Sequence, residues 1–331
     1  MAVRPIFIFS AVRSGSTLLQ RIVAAHEQVA TASEPWLLLP HAYTFRRAGV
    51  DAEYPHSLMV DAIEDFCAVL PNGSEDYREE LRRYVLRLYE KAAQQSNGNG
   101  ASNGSDTRYF LDKSPGYCFV VEEIMSLFPE AKFIFLWRNP LSIVASIIDT
   151  WEPWHPTIFR QDLFVGLPRL TAAYAADPSR AHAVRYEDLL GGEQRHWRRL
   201  MDYLEIEFDP DTLRSFSQIE LGGRMGDPTG PKRYKTLSSE PSQKWKGTLA
   251  NPLRKEWCRR YLRFLGDERL ATMGYDRKEL TAALDAEPIS MRSITSDVGR
   301  LLKDVAKEPI RIRARGTSLD GPNVIRELLR S

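Results

Sequence analysis

Two patterns of apolar residues alternate along this chain. Short, nearly continuous runs mark buried strands. One lies at about 5–10 (Pro5-Ile6-Phe7-Ile8-Phe9-Ser10), a second at 132–137 (Lys-Phe-Ile-Phe-Leu-Trp) and a shorter one at 183–186. Between these runs the apolar positions recur at helical spacing. Leu19, Ile22 and Val23 give one face to a helix from Thr17 to about Ala25, and Tyr84, Val85 and Leu88 share a face within a helical stretch over 36–92. Pro71-Asn72-Gly73 breaks that stretch, and further helices are predicted over about 119–128 and from Asn139-Pro140 through Ile148. Strands alternating with helices predict an α/β fold with a doubly wound parallel sheet, whose ligands bind at the C-terminal strand ends.

Two stretches fall outside this pattern. Residues 94–106, rich in Asn, Gly and Ser, cannot build a core and are expected to form a mobile surface loop before order resumes at Tyr109-Phe110-Leu111-Asp112-Lys113. The last fifty residues lose periodicity. There Arg311, Arg313 and Arg315 alternate with small or apolar residues, as in a solvated tail, or in a basic patch that meets a membrane surface or a partner.

Composition narrows the function classes. The 331 residues carry a formal net charge of +1, so no global basic field points to nucleic acid. Cys67, Cys118 and Cys258 stand far apart without CxxC spacing, which argues against a disulfide framework or a zinc site and fits a reducing compartment. No charged segment followed by an apolar one opens the chain, and no apolar run approaches the ~20 residues of a membrane span. The expectation is a soluble, cytoplasmic protein.

The chemistry begins where the first strand ends. Ser10-Ala11-Val12-Arg13-Ser14-Gly15-Ser16-Thr17 keeps the strand–turn–helix layout of a phosphate-binding loop, in which amides at a helix N-terminus cradle an anion. Set against G-x-x-x-x-G-K-[ST], Ser10 replaces the first glycine and Ser16 the lysine, while the positive charge sits inside the loop at Arg13. Without the lysine that reaches β- and γ-phosphates, the loop points to a nucleotide with one 5′-phosphate and a further group attached to it.

Four segments, taken together in this order, resemble the sulfotransferases that use 3′-phosphoadenosine 5′-phosphosulfate (PAPS). The nearest branch contains the protein-tyrosine and bacterial carbohydrate enzymes. They are Arg13-Ser14-Gly15-Ser16-Thr17, Trp137-Arg138-Asn139-Pro140 with Ser146, Arg185-Tyr186-Glu187-Asp188-Leu189, and Gly226-Asp227-Pro228 with Gln243-Lys244-Trp245-Lys246-Gly247. The resemblance covers roughly 4–40, 108–150, 183–190 and 225–275. It implies a P-loop-like nucleotide site with a helical acceptor lid. A sulfotransferase domain is expected over 1–280, containing the acceptor-side helices of 36–92 and the 94–106 loop, with a C-terminal extension over 281–331.

The resemblance also implies roles. Arg13 and the amides of Ser14 and Gly15 would hold the 5′-phosphate and sulfuryl oxygens, with hydroxyl bonds from Ser16 and Thr17. Arg138 and Ser146 would converge on the 3′-phosphate. Tyr186 would pack near the adenine, although a tyrosine at a strand end also suits a core. Lys244, or Lys246 in another register, would contact a phosphate. Glu34 matches the base that takes the acceptor's proton, although Glu-Pro before an apolar run is also a helix start. Lys113 and Arg13 would stabilise negative charge on the breaking S–O bond.

The expected reaction passes the sulfuryl group of PAPS to a hydroxyl and leaves 3′-phosphoadenosine 5′-phosphate (PAP), with no metal. The acceptor is expected to be a carbohydrate or lipid-linked saccharide in a prokaryote, with a tyrosyl peptide as the alternative. Trp36, Tyr43, Phe45, Trp151, Trp154 and Phe159, together with Arg46, Arg47 and Arg160, are the acceptor-side candidates, or else a helical core. No histidine base is assigned; His155 would shape the acceptor pocket. Thr229, Ser238, Ser239 and Ser242 compete for a serine near the leaving group. A homodimer is compatible with this reading. A P-loop kinase would need lysine at position 16, and a non-catalytic nucleotide binder would not need both Glu34 and Lys113.

Overall fold

The computed structural model describes residues 3–96, 107–151, 154, 160–219, 221 and 244–302. Five parallel strands form one sheet in the order β2-β3-β1-β4-β5. They are β1 (Arg4–Ser10), β2 (Val29–Thr31), β3 (Tyr109–Asp112), β4 (Lys132–Trp137) and β5 (Ala181–Arg185). β1 is central, with Ile8 opposite Ile134 on β4 and Ile6 opposite Leu111 on β3. From β1 the chain runs out to the edge strand β2, returns to β3 and then crosses to β4 and β5 on the other side, which puts the topological switch point at the C-terminal end of β1.

Alternation along β1 and β4 explains why both strands read as continuous apolar runs. Phe7, Phe9, Phe133 and Phe135 point to one side, and Ile6, Ile8, Ile134 and Leu136 to the other. The aromatic side is layered, with Phe7 and Phe9 centroids 6.0 and 5.8 Å from that of Phe133. α4 (Ser74–Ser96), α5 (Val121–Leu127) and α7 (Leu167–Ala176) lie against it through Tyr89, Ile124 and Leu170. The aliphatic side takes Leu19, Ile22 and Val23 of α1 (Ser16–Ala24) and Trp197, Leu200 and Leu204 of α9 (Gln194–Leu204).

The helical stretch expected over 36–92 resolves into α2 (Leu38–Ala42), α3 (His56–Cys67) and α4, with the break at Pro71-Asn72-Gly73 between the last two. Helix α4 continues through Ser96, so 94–96 are helical rather than loop. The low composition of 97–106 lies outside the described residues. The helix expected at 119–128 is divided into a 3₁₀ turn over Pro115–Phe119 and α5. Tyr186 does not close a strand; it opens the short helix α8 (Tyr186–Leu190).

The remaining described α-helices are α6 (Pro140–Thr150), α10 (Thr212–Ser215), α11 (Trp245–Thr248), α12 (Pro252–Thr272, bent at Gly266) and α13 (Arg277–Ala286). The expected domain limit after residue 280 falls inside α13, whose Leu280 and Leu284 belong to the core. Farther on, Asp297 is fully buried and accepts from Arg254 Nε at 2.8 Å and Asn251 Nδ2 at 3.0 Å. No helix among the described residues is long and apolar enough to cross a membrane.

Candidate functional site

Each of the five strands hands at least one candidate residue to the same edge of the sheet. β1 leads into Arg13 and Gly15, β2 into Glu34, β3 into Lys113, β4 into Arg138 and β5 into Tyr186. This is the carboxyl edge of a parallel sheet, where doubly wound folds bind ligands.

The loop after β1 is tightly specified. Gly15 has φ +88°, and a Cβ there would lie 2.2 Å from Cε2 of Tyr186, so the ring rests directly on the glycine. Arg13 is also left-handed, with φ +61°, a strain worth about 1–3 kcal/mol in a residue with a side chain. Its backbone carbonyl accepts Arg138 Nη1 at 2.6 Å, and its own Nε donates to Ser146 Oγ at 3.2 Å. The Arg138 guanidinium lies 4.5 Å from the Tyr186 ring centroid, and that of Arg13 5.4 Å from a ring of Trp151. Arg13, Arg138 and Ser146 are thereby tied into one cluster.

Tyr186 is 1% exposed between Gly15 and Arg138. In this structure it is a wall behind the loop, with no open face for a purine.

The loop fits an anionic phosphate group. The first intrahelical bond of α1 runs from Leu18 N–H to the Gly15 carbonyl at 3.0 Å, which leaves the amides of Gly15, Ser16 and Thr17 ahead of it at the helix N-terminus. Ser14 Oγ is buried and has no hydrogen-bond partner among the described residues. The two guanidinium groups of Arg13 and Arg138 supply the positive charge.

Beside the loop stands an ion pair. Lys113 Nζ donates to Glu34 Oε1 at 2.6 Å and to Thr17 Oγ1 at 3.3 Å. The side chains are 1% and 10% exposed, and Glu34 Oε2 accepts the Trp36 indole N–H at 3.3 Å. One residue of this corner was not legible in the sequence. Gln20 of α1 is fully buried, and its Nε2 donates to Thr31 Oγ1 at 2.8 Å, to the Ala32 carbonyl at 2.6 Å and to the Ser33 carbonyl at 3.0 Å. It clamps the turn that delivers Glu34. The only signal was a polar residue amid Leu18, Leu19, Ile22 and Val23, all of which are core.

Other candidates stand apart. Lys244 is exposed at the head of α11, which packs on α6 through a bond from Thr248 Oγ1 to Asp149 at 3.0 Å. Lys246 lies 3.6 Å from Glu287. Arg46 is engaged by Glu123 and by the Phe119 carbonyl, and Arg47 by Asp61 and Glu64, so both arginines serve the helical layer. Trp154 is core, set edge-on to Trp257, whereas Trp36 and Trp151 are each 38% exposed beside the site. His155, Phe159, Thr229, Ser238, Ser239, Ser242 and the 311–315 arginines lie outside the described residues.

The sequence profile of the sulfotransferase family matches residues 5–210, more than half of the chain. The chain belongs to the sulfotransferase family. The match takes in every residue of the cluster just described.

Among curated relatives, the nodulation protein NoeE of Sinorhizobium fredii is 31% identical over 62% of this chain and 50% of its own length. The omega-hydroxy-beta-dihydromenaquinone-9 sulfotransferase Stf3 of Mycobacterium tuberculosis is 26% identical over 43% of this chain and 37% of its own. A putative protein-tyrosine sulfotransferase of Caenorhabditis briggsae is 21% identical over 65% of this chain. The chain thus spans half or less of the first two relatives. A solved sulfotransferase domain from the curacin biosynthetic pathway has the same fold, with a TM-score of 0.51 and 23% identity over 83% of this chain and 99% of that domain.

Proposed function

We propose that this sulfotransferase moves the sulfuryl group of PAPS to a hydroxyl of a carbohydrate or lipid-linked acceptor. The observation that carries the reading is the contact of Lys113 with both Glu34, at 2.6 Å, and Thr17, at 3.3 Å, which sets a carboxylate and an ammonium against the phosphate loop. A base and a charge-stabilising cation at one edge of an anion cradle are what an in-line transfer between two oxygens needs.

PAPS supplies an activated sulfuryl group on its 5′-phosphate. In this reading the amides of Gly15, Ser16 and Thr17, with Arg13, hold that end, and Arg138 with Ser146 holds the 3′-phosphate. Glu34 orients the acceptor hydroxyl and takes its proton as the oxygen attacks. The Lys113 ammonium turns toward the bridging oxygen as negative charge grows there. Tyr186 keeps the loop in shape, and Lys244 closes on the nucleotide from α11. Trp36 and Trp151, the exposed aromatics at the rim, offer stacking surfaces to the acceptor.

A lipid-bearing acceptor is in keeping with the relative named for a hydroxylated menaquinone, and a tyrosyl peptide with the one named for protein tyrosine. A thermal-shift comparison tests the nucleotide half of the proposal. Stabilisation by PAP and not by ATP with Mg²⁺ is expected; stabilisation by ATP with Mg²⁺ alone would overturn it. Incubation with PAPS and a panel of glycans, hydroxylated lipids and tyrosine peptides then identifies the acceptor.

A further inference from the structure

Behind Lys113 stands a second carboxylate that none of these roles uses. Asp112 ends β3 with 0% exposure. Its Oδ2 accepts the Tyr89 hydroxyl at 2.6 Å and the Tyr117 hydroxyl at 2.8 Å, and its Oδ1 accepts the Ser114 hydroxyl at 3.3 Å. Burial pushes its carboxyl up to about 6, against the pull of those three hydroxyls and of Lys113, so at neutral pH it is still an acceptor.

Two of the hydroxyls relay this bond onward. Ser114 Oγ accepts the backbone N–H of Trp36 at 2.9 Å, and Tyr117 Oη accepts that of Leu38 at 3.2 Å. An ionised carboxylate can only accept, so it draws both hydroxyl protons toward itself and leaves their lone pairs facing the backbone of 36–38.

That backbone needs holding. Trp36 has φ +54°, a left-handed conformation disfavoured for a residue with a side chain. Its indole lies over Gly116, where a Cβ would come within 2.8 Å of the ring. Glu34 is two residues upstream, and its other flank is fastened by Gln20.

We propose that Asp112 is a positioning residue, which through Ser114 and Tyr117 fixes the turn after Glu34 and so keeps the Glu34 carboxylate on the Lys113 ammonium. The inference rests on the roles given to Glu34 and Lys113 above. Strand alternation explains the arrangement: neighbouring residues at the end of β3 send Asp112 and Lys113 to opposite sides, one into the scaffold and one into the site.

Asp112→Asn in the full chain keeps the volume and removes the acceptor-only charge. Hydrogen exchange is expected to speed up at the amides of Trp36 and Leu38 while β1 and β4 stay protected. Turnover of PAPS, with the acceptor found in the panel, should fall at least about tenfold, part of the ~10²–10⁴ that a positioned base supplies, with PAP affinity unchanged. In a Glu34→Gln background the same substitution should add almost nothing.

Unchanged exchange at 36 and 38 would overturn the proposal, as would losses that simply multiply in the double variant. If Asp112→Asn does not fold, Ser114→Ala cuts the link to Trp36 alone and is judged by the same two readouts. Should the wild-type protein turn over no PAPS, the sulfuryl-transfer reading fails, and the exchange arm still decides whether Asp112 holds the turn.

Discussion

The Lys113 ammonium sits 2.6 Å from Glu34 Oε1, on side chains only 1% and 10% exposed. Taking both charges out of water is costly, and a buried ion pair seldom adds net stability over an apolar pair of the same volume. Its place at the ends of two parallel strands, against the loop after β1, is in keeping with the chemical roles proposed for the two charges.

Lys113→Ala separates those two uses. Turnover of PAPS should fall by roughly 10²–10³, the usual loss when one donor to developing transition-state charge is removed, while PAP affinity changes little. Steady-state kinetics beside calorimetric PAP titration gives both numbers. Equal turnover would take Lys113 out of the mechanism.

Arg138→Ala should act mainly on nucleotide binding. Arg138 also donates to the Arg13 carbonyl at 2.6 Å, so its loss releases the loop as well as removing the proposed phosphate contact. A charge-assisted bond of this kind is worth about 1.5–3 kcal/mol, or roughly 10- to 150-fold in PAP affinity. Unchanged affinity for PAP would mean that the 3′-phosphate lies elsewhere.

Gly15→Ala tests how tightly the loop is built. The new Cβ would lie 2.2 Å from the Tyr186 ring at a φ of +88°, so both sterics and backbone oppose it. A loss of about 1–3 kcal/mol in urea unfolding is expected, with PAP binding impaired further. A variant with wild-type stability and binding would show that the ring does not support the loop.

The loop and the central strands β1 and β4 were legible because each rests on local sequence, whereas β2 (Val29–Thr31) and β3 (Tyr109–Asp112) were not read as strands. Phe7-Ile8-Phe9 and Phe133-Ile134-Phe135 are apolar on both faces, as expected of a strand covered on both sides. Glu34, Lys113, Arg138 and Ser146 could be selected through the family resemblance; that they converge on one edge follows from parallel strand order, which only the fold displays. Gln20 and Asp112 were not legible as support. A buried glutamine and a buried aspartate gain meaning only from the partners that long-range packing brings to them. Arg46 and Arg47 looked like acceptor contacts because their carboxylate partners are up to 77 residues distant.

Asp162 gives the stability of the fold a pH dependence of known sign. Burial pushes its carboxyl up to about 6, above the 3.8 of a free aspartate. The native state therefore binds the proton more tightly than the unfolded chain, and this group's contribution to stability grows as pH falls through 6 and is lost as pH rises past it. From pH 7 to pH 5 the wild-type protein should gain about 1 kcal/mol relative to Asp162→Asn in urea unfolding. A parallel pH dependence in the two proteins would contradict this.

Transfer of radiolabelled sulfuryl from PAPS tests the central claim most directly, run across glycans, hydroxylated lipids and tyrosine peptides with the wild-type protein and Glu34→Gln side by side. The account predicts label on one acceptor class with the wild-type protein and a loss of about 10²–10⁴ in rate with Glu34→Gln, both binding PAP equally well. Wild-type transfer that Glu34→Gln leaves intact would contradict it.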